Sequence, residues 1–407
     1  MYFLLIIFWS VIVTDARRRH PTFYANKDLQ YYWNETYANV TLDHFSYTNG
    51  QQFPLRFLYN LTYWKPGGPI FYYLGNEAPI TTFASATGIM WDLAPLFNAS
   101  IIFAEHRYYG QSYPWGINDT FRSIQNLGYL SSIQALGDFA ELIPLVKNFM
   151  NCSQDTPVIV FGGSYGGMLA VWFRMKYPTI TAGAWAASAP VLLFKNGGPS
   201  LGAYFNITSR TFLKSGCNET AIRAAFQAID NYSTNSSGIA TLNQIFKVNT
   251  SSPLTTKEDV ENFLKPYIRE AFESLAELDY PYPANFLAPL PKWPVREACK
   301  YLSKDSDSDF DRATHLFNAI SVYYGNKTAC VRSDKCPDAG FWADLAWSWQ
   351  ECTEIIIEKC ALGPPNDFFW SYCNESTVLS MMKENCQKIF NNTGYNTTML
   401  REDGVEK

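Results

Sequence analysis

The sequence predicts an α/β fold, a parallel sheet with crossover helices interrupted by a helical insertion, and three observations point to it. Short apolar runs alternate with segments of helical periodicity through the first half of the chain. A glycine-flanked serine stands where one such run passes into a helix. Beyond about Phe194 the texture turns to polar, helix-like stretches broken by proline-rich turns.

The first residues, Met1 to Ala16, run through Phe3-Leu4-Leu5-Ile6-Ile7-Phe8-Trp9 to a small-residue step at Thr14-Asp15-Ala16, the pattern of a secretory signal peptide. Arg17-Arg18-Arg19 then reads as an exposed lead-in or processing site. Pro54 to Tyr59 alternates as an early strand. Pro69 to Leu74 and Ser100 to Ala104 are apolar runs that end in polar loops, as buried strands do. Leu127 to Phe149 places Leu130, Ile133, Leu136, Phe139, Ile143 and Val146 at helical intervals. Pro157 to Phe161 supplies another buried strand, a helix restarts near Tyr165 and stops at Tyr177-Pro178, and Gly183 to Ser188 suggests one more strand.

From Phe194 to Phe341 the chain reads as a helical insertion, with a helix over Lys257 to Leu275 and turns at Tyr280-Pro281-Tyr282-Pro283 and Leu287 to Pro291. Aromatic and apolar runs return from about Ala343, at Trp347-Ser348-Trp349 and Ile355-Ile356-Ile357. The expected division is a signal peptide (1–16), a sheet-bearing core (17–193), the insertion or cap (194–341) and a partial return to the core (342–407).

With 407 residues, 47% of them hydrophobic, the chain can bury a large core. A net charge of -5 gives no basic field able to hold a phosphate backbone, which excludes nucleic acid as a partner. No stretch after the first residues reaches about 18 uninterrupted apolar residues, so no stable membrane anchor is expected in the mature chain. Asn-x-Ser/Thr acceptors are dense, at Asn34, Asn39, Asn60, Asn98, Asn118, Asn206, Asn218, Asn326, Asn374, Asn391 and Asn396 among others. They fit a glycosylated product that is secreted or lysosomal. Of the nine cysteines only Cys152 precedes the middle of the chain. The other eight (Cys217, Cys299, Cys330, Cys336, Cys352, Cys360, Cys373 and Cys386) read mostly as disulfides, and the odd count leaves at least one cysteine outside such pairs. A zinc site would need clustered histidines, and His20, His44, His106 and His315 are scattered, so no metal or cofactor is expected.

The sharpest chemical signal is Gly162-Gly163-Ser164-Tyr165-Gly166-Gly167, lying between a strand and a helix. That is the setting of a nucleophile elbow, whose turn is so tight that the residues beside the serine must be nearly free of side chain. Ser164 is the candidate nucleophile. An elbow also needs backbone N–H donors for an oxyanion: one from the next residue, Tyr165, and one from an earlier strand-to-helix loop, for which Gly75-Asn76-Glu77 is the candidate. Glu105 and His106 read as a satisfied ion pair and a structural histidine.

Five ordered motifs then carry a resemblance. They are Leu74-Gly75-Asn76-Glu77, Phe103 to Gly110, Gly162 to Leu169, Ala186 to Val191 and Trp349-Gln350-Glu351-Cys352-Thr353-Glu354. Together they resemble the prolyl carboxypeptidase family of serine peptidases, which includes a dipeptidyl peptidase and a thymus-specific member. The resemblance implies an α/β-hydrolase fold with a helical domain inserted over the site. It also implies exopeptidase cleavage beside proline, a peptide substrate, and Met168 lining the proline pocket. A homodimer is left open.

In α/β-hydrolases the catalytic residues run in the order Ser, Asp or Glu, His. Only His315 follows Ser164, inside the insertion, and it reads as an ordinary residue there rather than as the base. The family's terminal Asp-Pro-Trp segment and its histidine find no match before Lys407. The chain therefore reads as truncated at its C-terminus, with terminal strands missing and a sheet edge exposed. The function expected is a serine-type exopeptidase working through an acyl-enzyme at Ser164, in a chain without the downstream Asp and His. Two alternatives stay open: an inactive secreted glycoprotein that binds peptides, and an esterase or lipase on the same fold.

Overall fold

Continuous apolar runs with no polar alternation need cover on both faces, and the two at Ile70–Leu74 and Ser100–Ala104 become the buried centre of a sheet. A computed structural model describes residues 31–194, 197–332, 341–391 and 393–400. The signal peptide, Arg17-Arg18-Arg19, His20 and Cys336 lie outside the described residues. Contacts divide the chain into a sheet unit (25–197, 340–356, 392–407) and a helical unit (198–339, 357–391). Residues 342–407 are thus shared. Phe368 and Phe369 sit in the core of the helical unit, which takes 357–391 with it.

The sheet has six strands: β1 (Asn34–Thr41), β2 (Gln52–Asn60), β3 (Ile70–Leu74), β4 (Ser100–Ala104), β5 (Val158–Gly163) and β6 (Gly183–Ala187). Their order is β1-β2-β4-β3-β5-β6. The first two strands pair antiparallel and β2 joins β4 the same way, while β4, β3, β5 and β6 run parallel. β6 is an edge strand of this sheet, and Ala184 to Ala187 are exposed, Trp185 half so.

Two short helices absent from the sequence reading, α1 (Ile80–Ala86) and α2 (Gly88–Phe97), pack Phe83, Met90 and Trp91 against Phe71, Tyr73, Phe103 and Phe161 of the sheet. The long helix α3 (Ser132–Phe149) begins later than the expected Leu127, because the Ser131 side chain caps it by accepting from Gln134 N–H. Tyr72 of β3 meets α3 from the sheet: its ring lies 6.5 Å from Phe139, and its OH donates to the Phe139 carbonyl at 3.3 Å. Helix α4 (Tyr165–Lys176) follows β5 directly.

In the helical unit Phe205, Phe212, Phe226 and Phe272 from the helices surround Phe368 and Phe369. Cys217–Cys299 and Cys360–Cys373 are disulfides of this unit. Cys330, Cys352 and Cys386 are also disulfide-bonded, and Cys152 is free. The proline-rich stretch at Tyr280 to Pro283 leads into a small hairpin, Ala284–Phe286 with Ala288–Leu290, so the expected turn at Leu287 to Pro291 is the hairpin's own turn and second strand. The buried Lys359 ammonium lies 3.1 Å from Glu273 and 4.2 Å from the Tyr204 ring centre, a paired rather than an isolated buried charge. No described helix is long and apolar enough to cross a membrane.

Candidate active site

β3 and β5 are parallel neighbours, so their carboxyl ends open on the same edge of the sheet, where parallel α/β folds place their chemistry. Leu74 ends β3 and Gly163 ends β5, which brings the Gly75-Asn76-Glu77 loop and Ser164 to that edge. Ser164 is half-buried and held at φ 54°, a conformation that costs a non-glycine residue about 1–3 kcal/mol and persists only where its surroundings over-determine it. Here they do so from both sides. Ser164 N–H donates to the Ala187 carbonyl of β6, and the Ser164 carbonyl accepts from Met168 N–H to start α4. Its hydroxyl has no hydrogen-bond partner among the described residues.

The flanking glycines follow from this turn. A Cβ on Gly162 would sit 1.9 Å from the Gly166 carbonyl oxygen, and one on Gly167 would sit 2.8 Å from that of Ala187. At Gly166 it would press on the Leu74 carbonyl at 2.9 Å and on Asn76 Oδ1 at 3.0 Å. Close approach of backbone to backbone, rather than turn conformation alone, requires glycine at these places.

Tyr165 is the first residue of α4, so its N–H has no acceptor within the helix. The loop after β3 divides less evenly than expected. Gly75 N–H donates to the Ala104 carbonyl at 2.9 Å, so it is spent within the sheet and is corrected as an oxyanion donor. Asn76 N–H has no backbone partner among the described residues, while the Asn76 side chain is fixed by Tyr73 OH at 3.3 Å and Glu77 at 2.9 Å.

The sequence profile described as serine carboxypeptidase S28 matches residues 40–405. The chain belongs to the serine carboxypeptidase S28 family. It is 43% identical to prolyl carboxy peptidase like protein 5 of Caenorhabditis elegans, over 91% of this chain and 74% of that one. It is 41% identical to the lysosomal Pro-X carboxypeptidase of Homo sapiens and 42% identical to that of Mus musculus, over 82% and 80% of this chain. It spans 66% of the length of each of those two. The elbow and the mixed sheet are those of an α/β-hydrolase, and membership in a peptidase family gives the S28 chain a peptide substrate.

Other residues singled out in the S28 sequence fall as follows. Met168 exposes no surface, so its observed contribution is packing beneath the elbow. His315 lies in the helical unit with Nδ1 3.0 Å from Ser306 Oγ. His44 meets Asp138 at 2.8 Å. Neither of these nor His106 is hydrogen-bonded to Ser164. The expected ion pair of Glu105 is with Arg56, at 2.6 Å, and its carboxylate also accepts from Ile80 N–H, Gln111 N–H and Ser112 Oγ. Gly110 is glycine because a Cβ there would strike Glu105 Oε1 at 1.8 Å. Of the acceptor asparagines, Asn60 and Asn98 are half-buried and the others named above are exposed.

His106 is fully buried. Its Nδ1 lies 2.7 Å from the Arg107 carbonyl, so the proton is on Nδ1, and Nε2 accepts from Tyr165 OH at 3.0 Å. Burial, partly opposed by the bond to the Arg107 carbonyl, lowers its pKa from 6.5 to about 4. Between those values the unfolded chain binds the proton and the folded chain does not. The contribution is therefore full above pH 6.5 and is lost as pH falls toward 4, a change of about 3 kcal/mol. An NMR titration of the His106 ring is expected to show a midpoint near 4, and one near 6.5 would contradict this.

Proposed function

We propose that this S28 chain is a serine exopeptidase that cleaves peptides beside proline through an acyl-enzyme at Ser164, in the secretory or lysosomal compartment. The observation that carries the reading is the Ser164 turn itself: a serine at φ 54° off the carboxyl end of β5, its hydroxyl unengaged among the described residues. Ser164 Oγ attacks the scissile carbonyl carbon and gives its proton to a general base that the described residues do not supply, because His44, His106 and His315 are otherwise engaged. The carbonyl oxygen takes the negative charge, held by Tyr165 N–H and Asn76 N–H. Collapse of the intermediate breaks the C–N bond, releases the amine and leaves the ester on Ser164, which water then hydrolyses.

Proline direction is what the resemblance implies, the dense Asn-x-Ser/Thr acceptors support glycosylation, and the lysosomal names of the mammalian relatives support the compartment. The test is a substrate panel: paired peptides with proline or alanine beside the scissile bond, and short-chain acyl esters. The proline peptides are expected to be cleaved with a kcat/KM about 10- to 100-fold above their alanine partners. Equal rates on both would overturn the proline assignment. Ester turnover without peptide turnover would make the chain an esterase.

A further inference from the structure

The segment Trp349-Gln350-Glu351-Cys352-Thr353-Glu354 lies in part on the helix Phe341–Thr353, and its Gln350 reaches the Tyr165 side chain beside the elbow. We propose that Gln350 is a positioning residue for the oxyanion site, acting through the Tyr165 side chain to hold the Tyr165 N–H in place. The inference rests on the acyl-enzyme reading above.

Tyr165 carries one of the two proposed oxyanion donors on its backbone and is anchored by its phenol. The ring is 1% exposed, its centre 5.4 Å from that of Trp347 and 5.6 Å from that of His106. Gln350 Nε2 donates to Tyr165 OH at 2.8 Å, and Tyr165 OH donates to His106 Nε2 at 3.0 Å. The second Gln350 N–H goes to Glu354 Oε1 at 2.9 Å, and Gln350 Oε1 accepts from Tyr109 OH at 2.7 Å. Glu354 is itself held by Ser132 N–H at 2.8 Å and Ser132 Oγ at 2.9 Å, at the start of α3.

This chain of bonds has one consistent direction. Turning the Gln350 amide over would set its oxygen against the Glu354 carboxylate and leave Tyr109 OH facing an N–H. Tyr165 stays a neutral phenol, because burial raises its pKa well above 10, and His106 stays a neutral acceptor. Both N–H donors of the Gln350 amide and its oxygen are therefore engaged, and the phenol has one seat. A buried polar chain is costly when half-satisfied and rigid when complete. A phenylalanine in an apolar pocket would fill the same space without that constraint. The rigidity matters at Tyr165 because α4 begins with no side-chain cap and with a strained serine, so its first turn lacks the usual local fixings.

The test uses the full chain with Gln350→Met, which keeps the volume and removes the bonds, and Tyr165→Phe, which removes one oxygen. Labelling of Ser164 by a fluorophosphonate is measured first on the unaltered protein, and its absence there would sink the acyl-enzyme reading rather than this one. With labelling present, both variants are expected to lower kcat about 10- to 100-fold with KM changed less than about threefold. Affinity for a peptide boronate, which places an oxygen in the oxyanion site, is expected to fall in step with kcat, while product binding stays put. A kcat equal to that of the unaltered protein in either variant overturns the proposal. So does a rise in KM and in product dissociation constant that matches the loss of rate. If Gln350→Met fails to fold, Tyr165→Phe alone decides it.

Discussion

Ser164→Ala is expected to lower kcat on a proline peptide by ~10⁴-fold or more while leaving thermal stability unchanged. The separation of the two effects is what the structure adds. The bonds that hold residue 164 are made by its backbone, to Ala187 and Met168, and alanine keeps both. Alanine also carries the same Cβ into φ 54°, so the strain is unaltered. The hydroxyl has no partner among the described residues to lose. A variant that lost activity and several degrees of Tm together would show that the serine is part of the scaffold.

The largest effect expected on stability is at Asp138. Arg107 and Asp138 are both wholly buried, paired through Nε and Nη2 at 2.6 Å each. The remaining guanidinium donors reach the carbonyls of Leu42 and Tyr129 at 2.9 Å and of Thr41 at 3.2 Å, so all of them are used. Asp138→Ala leaves that cation buried with carbonyls alone and is expected to cost ~3–5 kcal/mol in urea unfolding of the sheet unit. Replacing both residues by apolar ones of similar size is expected to cost less than this single change, because the penalty is the unpaired charge. A single-variant loss under about 1 kcal/mol would contradict the account.

Asp138 also shows where sequence reading stops. The buried strands at Ile70–Leu74, Ser100–Ala104 and Val158–Gly163 were legible because an uninterrupted apolar run has few other uses, and the elbow because its glycines are local to its serine. The partner of Arg107 is 31 residues away and that of Glu105 is 49, and nothing in the local pattern points across such gaps. Gln350 and Tyr165 are 185 residues apart. Helices α1 and α2 were missed because both are short, α1 is rich in small residues, and α2 contains Pro95, which reads as a breaker. Spacing shows which loop faces the nucleophile but not which N–H the sheet has already used, and Gly75 N–H is one that it uses.

Formation of an ester on Ser164 in the catalytic cycle is checked by treating the full chain with a fluorophosphonate and mapping the adduct by peptide mass spectrometry. A single adduct on Ser164, absent from Ser164→Ala, is the expected result. An unlabelled Ser164 in a folded protein that still binds proline peptides would contradict it and make the chain a peptide-binding glycoprotein.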